Sequence, residues 1–395
     1  MEFDSLNKKL EEKGSNGKLA LILGVIGLAA SAFGYFQAEE QFYFSYLTAF
    51  FFWGSIALGS LFFTMVQHLT NATWSVVLRR ISEAFMAFLP LMIIFFIPII
   101  FGMKHLYHWT DVEAVKHDAL LTKKVGYLNT TFFYIRSAVY LIVWTVLARV
   151  LYKASVRQDT EGHSDALDKK IKGTSAAGII LFALTITYAA FDWLMSLDPH
   201  WFSTIYGVYI FGGAFLAAIC SITLVALSLE SKGILEGVIT TEHHHDLGKM
   251  MFAFTVFWSY IAFSQFFLIW YANIPEETIW FLHRVEGSWK TITLLLVYGH
   301  FLVPFLLLMP RFVKRRSTAL KVMAIWILFM HWVDLYWNVL PNFSKHGVHF
   351  HWLDLSTMLG IGGIFVWHFW KTYRASSPVP VNDPKLSASI EFTNF

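Results

Sequence analysis

Cysteine is almost missing from this chain of 395 residues; only Cys220 is present, set in an apolar stretch. A single thiol excludes an internal disulfide framework, a cysteine cluster for zinc or iron–sulfur, and the Cys-x-x-Cys-His attachment of covalent haem. Charge is scarce too. Asp, Glu, Lys and Arg make up 14% of the residues, about half the share usual in soluble domains. No glycine-rich phosphate loop, nucleophile elbow or zinc-protease helix occurs, so the familiar signatures of nucleotide hydrolysis, acyl transfer and metalloproteolysis are missing. What fills the chain instead is apolar: 56% of residues are hydrophobic and the mean hydropathy is +0.53. This is the composition of a membrane protein.

Ten apolar runs are long enough to cross a hydrocarbon core of roughly 30 Å, which takes about 20 helical residues. They cover 18–37, 42–68, 76–102, 126–151, 174–196, 202–229, 249–271, 289–310, 319–339 and 353–373. An even number puts both termini on one side. Alternate connections on that side carry 22 of the 30 Lys and Arg, against 7 on the other, with Arg136 left inside a helix. The positive-inside rule then makes both termini of this multi-pass protein cytoplasmic. The net charge of +3 is read as this orientation signal and not as a nucleic-acid patch. Segment 1–17 is polar, mixed in charge and unlike a cleavable signal, so the first helix is expected to be retained. The tail 376–395 reads as an unstructured end.

The runs also repeat. FSYLTAFFFWGS (44–55) aligns without a gap on FSTIYGVYIFGG (202–213), and EAFMAF (83–88) aligns on KMMFAF (249–254). Asp192 lies seven residues before Pro199, as Asp334 does before Pro341. Each match pairs helix n with helix n+4, so the copies keep one orientation. The expected fold is all-α: two parallel-related four-helix bundles (helices 2–5 and 6–9) and two peripheral helices. Its boundaries are an N-terminal segment 1–17, helix one in 18–41, bundles in 42–196 and 197–341, helix ten in 342–375 and the tail 376–395.

Within so apolar a chain, AFDWLMSLDPHWFST (190–204) stands out. Proline cannot continue a helix, which accounts for Asp198-Pro199-His200 as an external turn. Trp193 and Trp201 fit an aromatic belt at the interface. Asp192 costs a few kcal/mol in the apolar layer and must face the interior with a partner or a task. It shares a stripe with Thr185 and Tyr188, and both a functional role and a structural ion pair or cap remain open for it. Arg136 lies near the midplane, where its expected mate is a carboxylate from a neighbouring helix. Arg79 and Arg80 read as snorkelling anchors, and Glu83 either as their partner or as the mouth of an inner proton path. His300 falls four residues before Pro304, and His331 and Asp334 share one face of helix nine.

Two metal readings are disfavoured. His68, His300, His331 and His368 lie at different depths, which argues against an axial pair for haem. Adjacent His243, His244 and His245 do not converge on one ion and read as a solvated connection and helix cap, so no metal site is expected. Ionisable groups near one membrane face, without a redox metal of the chain's own, suit quinol oxidation: a carboxylate or histidine takes the protons while electrons leave to a centre outside. The candidates are Asp192 as proton acceptor, with Arg136, Tyr188 and His200 around the quinol. Proton conduction would use Glu83, Arg136, Asp192, His300, His331 and Asp334.

HHHDLGKMMFAFTVFWSYIAFSQFFLIWYANIPEET (243–278) and FDWLMSLDPHWFSTIYGVYIFGG (191–213) resemble the NrfD/PsrC-like family of quinone-interacting membrane subunits, as found in bacterial alternative complex III. The resemblance runs over essentially the whole chain. It implies a ten-helix fold, menaquinone or ubiquinone as substrate, and an assembly that reduces a cytochrome c or a docked terminal oxidase. It further implies that haem and iron–sulfur clusters sit on partners: an iron–sulfur protein, c-type haem proteins and a second, related membrane subunit, all in membrane lipid. Three readings stand: a quinol-interacting subunit, a non-catalytic scaffold with a proton path, and an independent secondary transporter. The transporter lacks the paired midplane Gly/Pro breaks that its binding site needs.

Overall fold

The computed structural model describes residues 3–345 and 347–394. Among these residues the secondary structure is helical, with no strand beyond one isolated bridge between Glu236 and Ile239. The principal helices are α1 (Phe3–Lys13), α2 (Lys18–Tyr35), α3 (Glu39–Leu69), α4 (Arg79–Met86), α5 (Leu89–Phe101), α6 (Thr130–Glu161), α7 (Asp165–Trp193), α8 (Tyr206–Ser231), α9 (Thr241–Ala272), α10 (Pro275–Val285), α11 (Trp289–Leu295), α12 (Val303–Leu308), α13 (Ser317–Val339), α14 (Trp352–Tyr373) and α15 (Leu386–Ile390). Nine helical spans among the described residues are long and apolar enough to cross a membrane. They match the first nine expected runs; the tenth run forms α14, outside that set.

Two helices, α3 and α8, are apolar on every side, and a helix of that kind belongs in an interior. They are accordingly the most enclosed of the nine. They pack on each other where Gly59 meets α8: a Cβ at Gly59 would stand 2.4 Å from the carbonyl oxygen of Ala214. Around α3 lie α4, α5 and α7, with α6 between α5 and α7; around α8 lie α9 and α13, with the α11–α12 segment between them. Helices α2 and α14 pair outside this core. Their contact rests on backbone approach, because a Cβ at Gly27 would sit 2.4 Å from the Gly360 nitrogen.

Several expectations are corrected. The tail is not an unstructured end: Val379 and Leu386 are buried, Arg79 pairs with Asp383 at 2.5 Å, and Ser389 Oγ donates to the Trp74 carbonyl. The polar start forms α1 and buries Leu6 and Leu10 on one side. Trp193 and Trp201 lie in the core instead of an interfacial belt. Trp193 packs edge-on to Trp144 and donates to Ser137 Oγ at 3.0 Å, while Trp201 stacks on Trp280 with ring centroids 4.2 Å apart.

Candidate functional site

The buried ionisable groups expected from the sequence fall into three clusters. The first closes α7. Asp192, fully buried in its last turn, receives Arg136 Nε on Oδ2 at 2.7 Å and Arg136 Nη2 on Oδ1 at 2.9 Å. The Tyr140 hydroxyl donates to Oδ2 at 2.7 Å. Arg136 and Tyr140 stand one turn apart on α6, so a single helix face supplies all three bonds. The remaining Arg136 nitrogen donates to the Tyr127 carbonyl, and the guanidinium lies over the rings of Tyr127 and Phe132 at 3.9 and 4.3 Å. A bidentate guanidinium plus a phenol thus occupies both oxygens of the carboxylate.

Neither of the other two expected quinol contacts joins this cluster. Tyr188 is 44% exposed and packs on Phe191 at the helix surface. His200 reaches Asp118 instead, Nε2 to Oδ2 at 2.5 Å. That hydrogen bond, with the amides of Leu121 and Leu120 at the start of a short helix, lowers the Asp118 carboxyl to about 2. His200 thus ties the 107–129 connection to the turn after α7.

The second cluster surrounds Asp334, near the end of α13. It is 2% exposed and no cation approaches it among the described residues. The Tyr209 hydroxyl donates to Oδ1, and Trp258 Nε1 donates to Oδ2 at 3.3 Å. Asn338, one turn on, donates to Tyr209 and accepts from Tyr206 at 3.0 Å. His331, on the same face, meets Ser55 Oγ through Nε2 at 2.9 Å and has no partner on Nδ1. His300 is fully buried with both ring nitrogens unpartnered, its ring centroid 4.0 Å from that of Trp258. It sits in a π-helical stretch, Leu296–Leu302. Pro304 has no N–H for the carbonyl of His300, and a widened turn of this kind often marks a functional place.

The third cluster is remote from both. Glu83 is fully buried and takes Arg80 Nη1 at 2.6 Å, leaving Oε1 without a partner. Arg80 continues to Asp159 and Ser155. The expectation that Arg79 and Arg80 snorkel is therefore corrected, since both are buried and paired within the protein. The HHHD run is corrected as well: His243, His244, His245 and Asp246 are buried, not solvated. Its capping role holds, because Thr240 and His243 form a reciprocal cap of α9.

Sequence reasoning placed Asp192, Arg136, His331 and Asp334 but missed Tyr140, Tyr209, Trp258, Asn338 and Ser55. Tyr140, four residues after Arg136, and Asn338, four after Asp334, each left a local signal on one helix face. A further buried cation was also passed over. Arg284 donates to the carbonyls of Trp280, Trp337 and Asn338 at 2.9, 3.2 and 2.9 Å and lies 3.5 Å over the Trp280 ring. It fastens α10 to the end of α13, and among the described residues it forms no ion pair with an acidic side chain.

An apolar groove of about 480 Å³ runs between α5 and α6, lined by Ile93, Phe96, Ile97, Tyr134, Ser137 and Leu141 among others. Ser137 follows Arg136 directly and holds Trp193, which places the groove beside the Asp192 cluster. No family model matches the chain, and no curated protein matches it.

Proposed function

We propose that this chain is a membrane subunit of a respiratory quinol:acceptor oxidoreductase of the NrfD/PsrC-like kind, and that its own part is to carry protons through the Asp334 cluster. The first half of that reading rests on the sequence resemblance; the second rests on one observation. Asp192 and Asp334 occupy corresponding places, yet Asp192 is clamped by a guanidinium while Asp334 is held only by neutral donors beside His331 and His300, which keep unpartnered ring nitrogens. An ion pair fixes a carboxylate in its charged form, whereas a carboxylate among neutral donors is free to exchange a proton. Glu83, with one free oxygen at the opposite end, is the second relay point.

In this reading the chain has ten membrane-spanning helices with both termini in the cytoplasm. Helices α3–α7 and α8–α13 form the two duplicated bundles, and α2 and α14 are peripheral. The packing of α3 on α8, each ringed by its own set of helices, supports the duplication. Electrons pass through haem and iron–sulfur partners, with a lipid quinol as reductant. Arg136 and Asp192 then serve as a structural lock.

A second reading, in which Asp192 and Arg136 meet the quinol, is favoured by the apolar groove beside them, which has the shape and lining for an isoprenoid chain. Quinol:cytochrome c turnover of the intact assembly separates the two, with assembly checked by haem content. Under the proton-path reading Asp192→Asn retains turnover in whatever fraction assembles, while Asp334→Asn slows coupled turnover. A large loss confined to fully assembled Asp192→Asn places quinol chemistry at the lock. An assembly that purifies as this chain alone, without haem proteins, contradicts both and returns the transporter.

A further inference from the structure

At the end of the bundle opposite Asp192, a small polar pocket of about 40 Å³, open to the surface, lies where α3, α7 and the C-terminal tail converge. His68, in the last turn of α3, lines it, is 9% exposed and has no partner for Nε2. Arg79, Lys172 and Lys385 stand around it. Arg79 Nη1 is taken by Asp383 at 2.5 Å, but its Nε is unpartnered and buried. Lys385 Nζ donates to the Asn71 carbonyl at 2.6 Å and keeps further donor capacity, because an ammonium has three. Lys172 is exposed at the rim. Asp168 is the remaining acid of the lining.

The pocket's level matters as much as its charge. Lys172 comes two residues before the apolar run 174–196 begins, and His68 ends the run 42–68, so the pocket opens where hydrocarbon gives way to headgroups. This is also the side to which the lysine and arginine count assigns the cytoplasm. Basic pockets between helices on that side recognise phosphate-bearing headgroups. A buried, unpartnered imidazole nitrogen in the lining of a cationic pocket calls for a partner.

We infer that this pocket binds a phosphate group, with His68 Nε2 and the Arg79 Nε–H as its inner donors and Lys172 and Lys385 as its outer cations. Asp383 orients Arg79, and the tail, by carrying Asp383 and Lys385, completes the site. The phosphate belongs to a membrane glycerophospholipid or to free inorganic phosphate. The inference does not depend on the redox role of the chain.

The test uses the full chain, purified from its own membranes with whatever subunits accompany it and stripped of lipid in detergent. Short-chain dihexanoylphosphatidylglycerol and, separately, inorganic phosphate are titrated while thermal unfolding is followed. Lysine at a membrane surface contributes about 1 kcal/mol to anion binding, so Lys172→Gln and Lys385→Gln should each raise the apparent Kd read from the titration about fivefold. The surface variant Lys172→Gln leaves the core intact and keeps the test interpretable if His68→Gln fails to fold. Stabilisation by the lipid alone identifies a headgroup site; stabilisation by inorganic phosphate as well identifies a free-anion site. No stabilisation by either probe, or equal stabilisation of wild type and both lysine variants, overturns the inference.

Discussion

Cutting both sides of the Arg136–Asp192 pair should cost clearly less than the sum of cutting each side alone. The carboxylate accepts two N–H bonds from one guanidinium, at 2.7 and 2.9 Å, and a phenol at 2.7 Å. A hydrogen bond to a charged group contributes about 1.5–3 kcal/mol, so the two-pronged contact is worth about 3–6 kcal/mol against an uncompensated partner. Removing one member of a buried pair typically costs about 3–5 kcal/mol, which agrees. Asp192→Asn leaves a buried guanidinium and Arg136→Gln leaves a buried carboxylate. The double variant leaves two amides able to bond each other and no charge. Its cost should fall short of the sum of the singles by about 3 kcal/mol, at the upper end of measured couplings. The assay is reversible unfolding in mixed micelles, followed by tryptophan fluorescence, for all four proteins. Additivity within about 0.5 kcal/mol would refute the reasoning, because independent sites behave that way.

The remaining predictions concern other fastenings. Arg284→Lys should lower stability by about 2 kcal/mol or more in the same assay, since one ammonium cannot bond the three carbonyls of Trp280, Trp337 and Asn338 that the planar fork spans. Gly27→Val should cost about 1–3 kcal/mol, because its side chain meets Gly360 backbone that no rotamer relieves, while Gly173→Ala, inside α7 with nothing within 4 Å, should gain up to about 1 kcal/mol. Asp118 titrates near 2 when folded, below the usual value of about 3.9. Its contribution to holding the 107–129 connection is therefore complete above about pH 4 and lost as pH falls through about 2. Hydrogen exchange across that range should show the connection loosening in wild type, and already loose at neutral pH in His200→Gln.

The helical spans were legible because a hydrocarbon core imposes a minimum length on any apolar helix that crosses it. Pairing of Arg136 with a carboxylate was legible because a lone guanidinium in that layer is too costly. Direction around a helix was less so. At about 100° per residue, Tyr188 is turned roughly 60° from Thr185, enough to bring it to the surface while Thr185 and Asp192 point inward. Trp193 and Trp201 could not be assigned from composition, because lipid and protein interior are equally apolar. The HHHD run and the tail were misread for one shared reason. Phe392 packs against His243 and Asn394 bonds Glu242, so each segment covers the other, across some 150 residues of chain that no local pattern connects. The neutral company of Asp334 was hidden in the same way, its donors Tyr209 and Trp258 coming from α8 and α9.

The measurement that bears most directly on the account is the number of protons released per quinol oxidised by the intact assembly in sealed vesicles, compared between wild type and Asp334→Asn. Asparagine keeps the shape and can still accept from Tyr209 through its carbonyl oxygen, but its amide nitrogen cannot accept from Trp258 and it carries no exchangeable acid proton. The account predicts that the variant still oxidises quinol when the gradient is collapsed, while releasing fewer protons per quinol than wild type. An unchanged proton yield, at unchanged turnover, would contradict a proton path through Asp334.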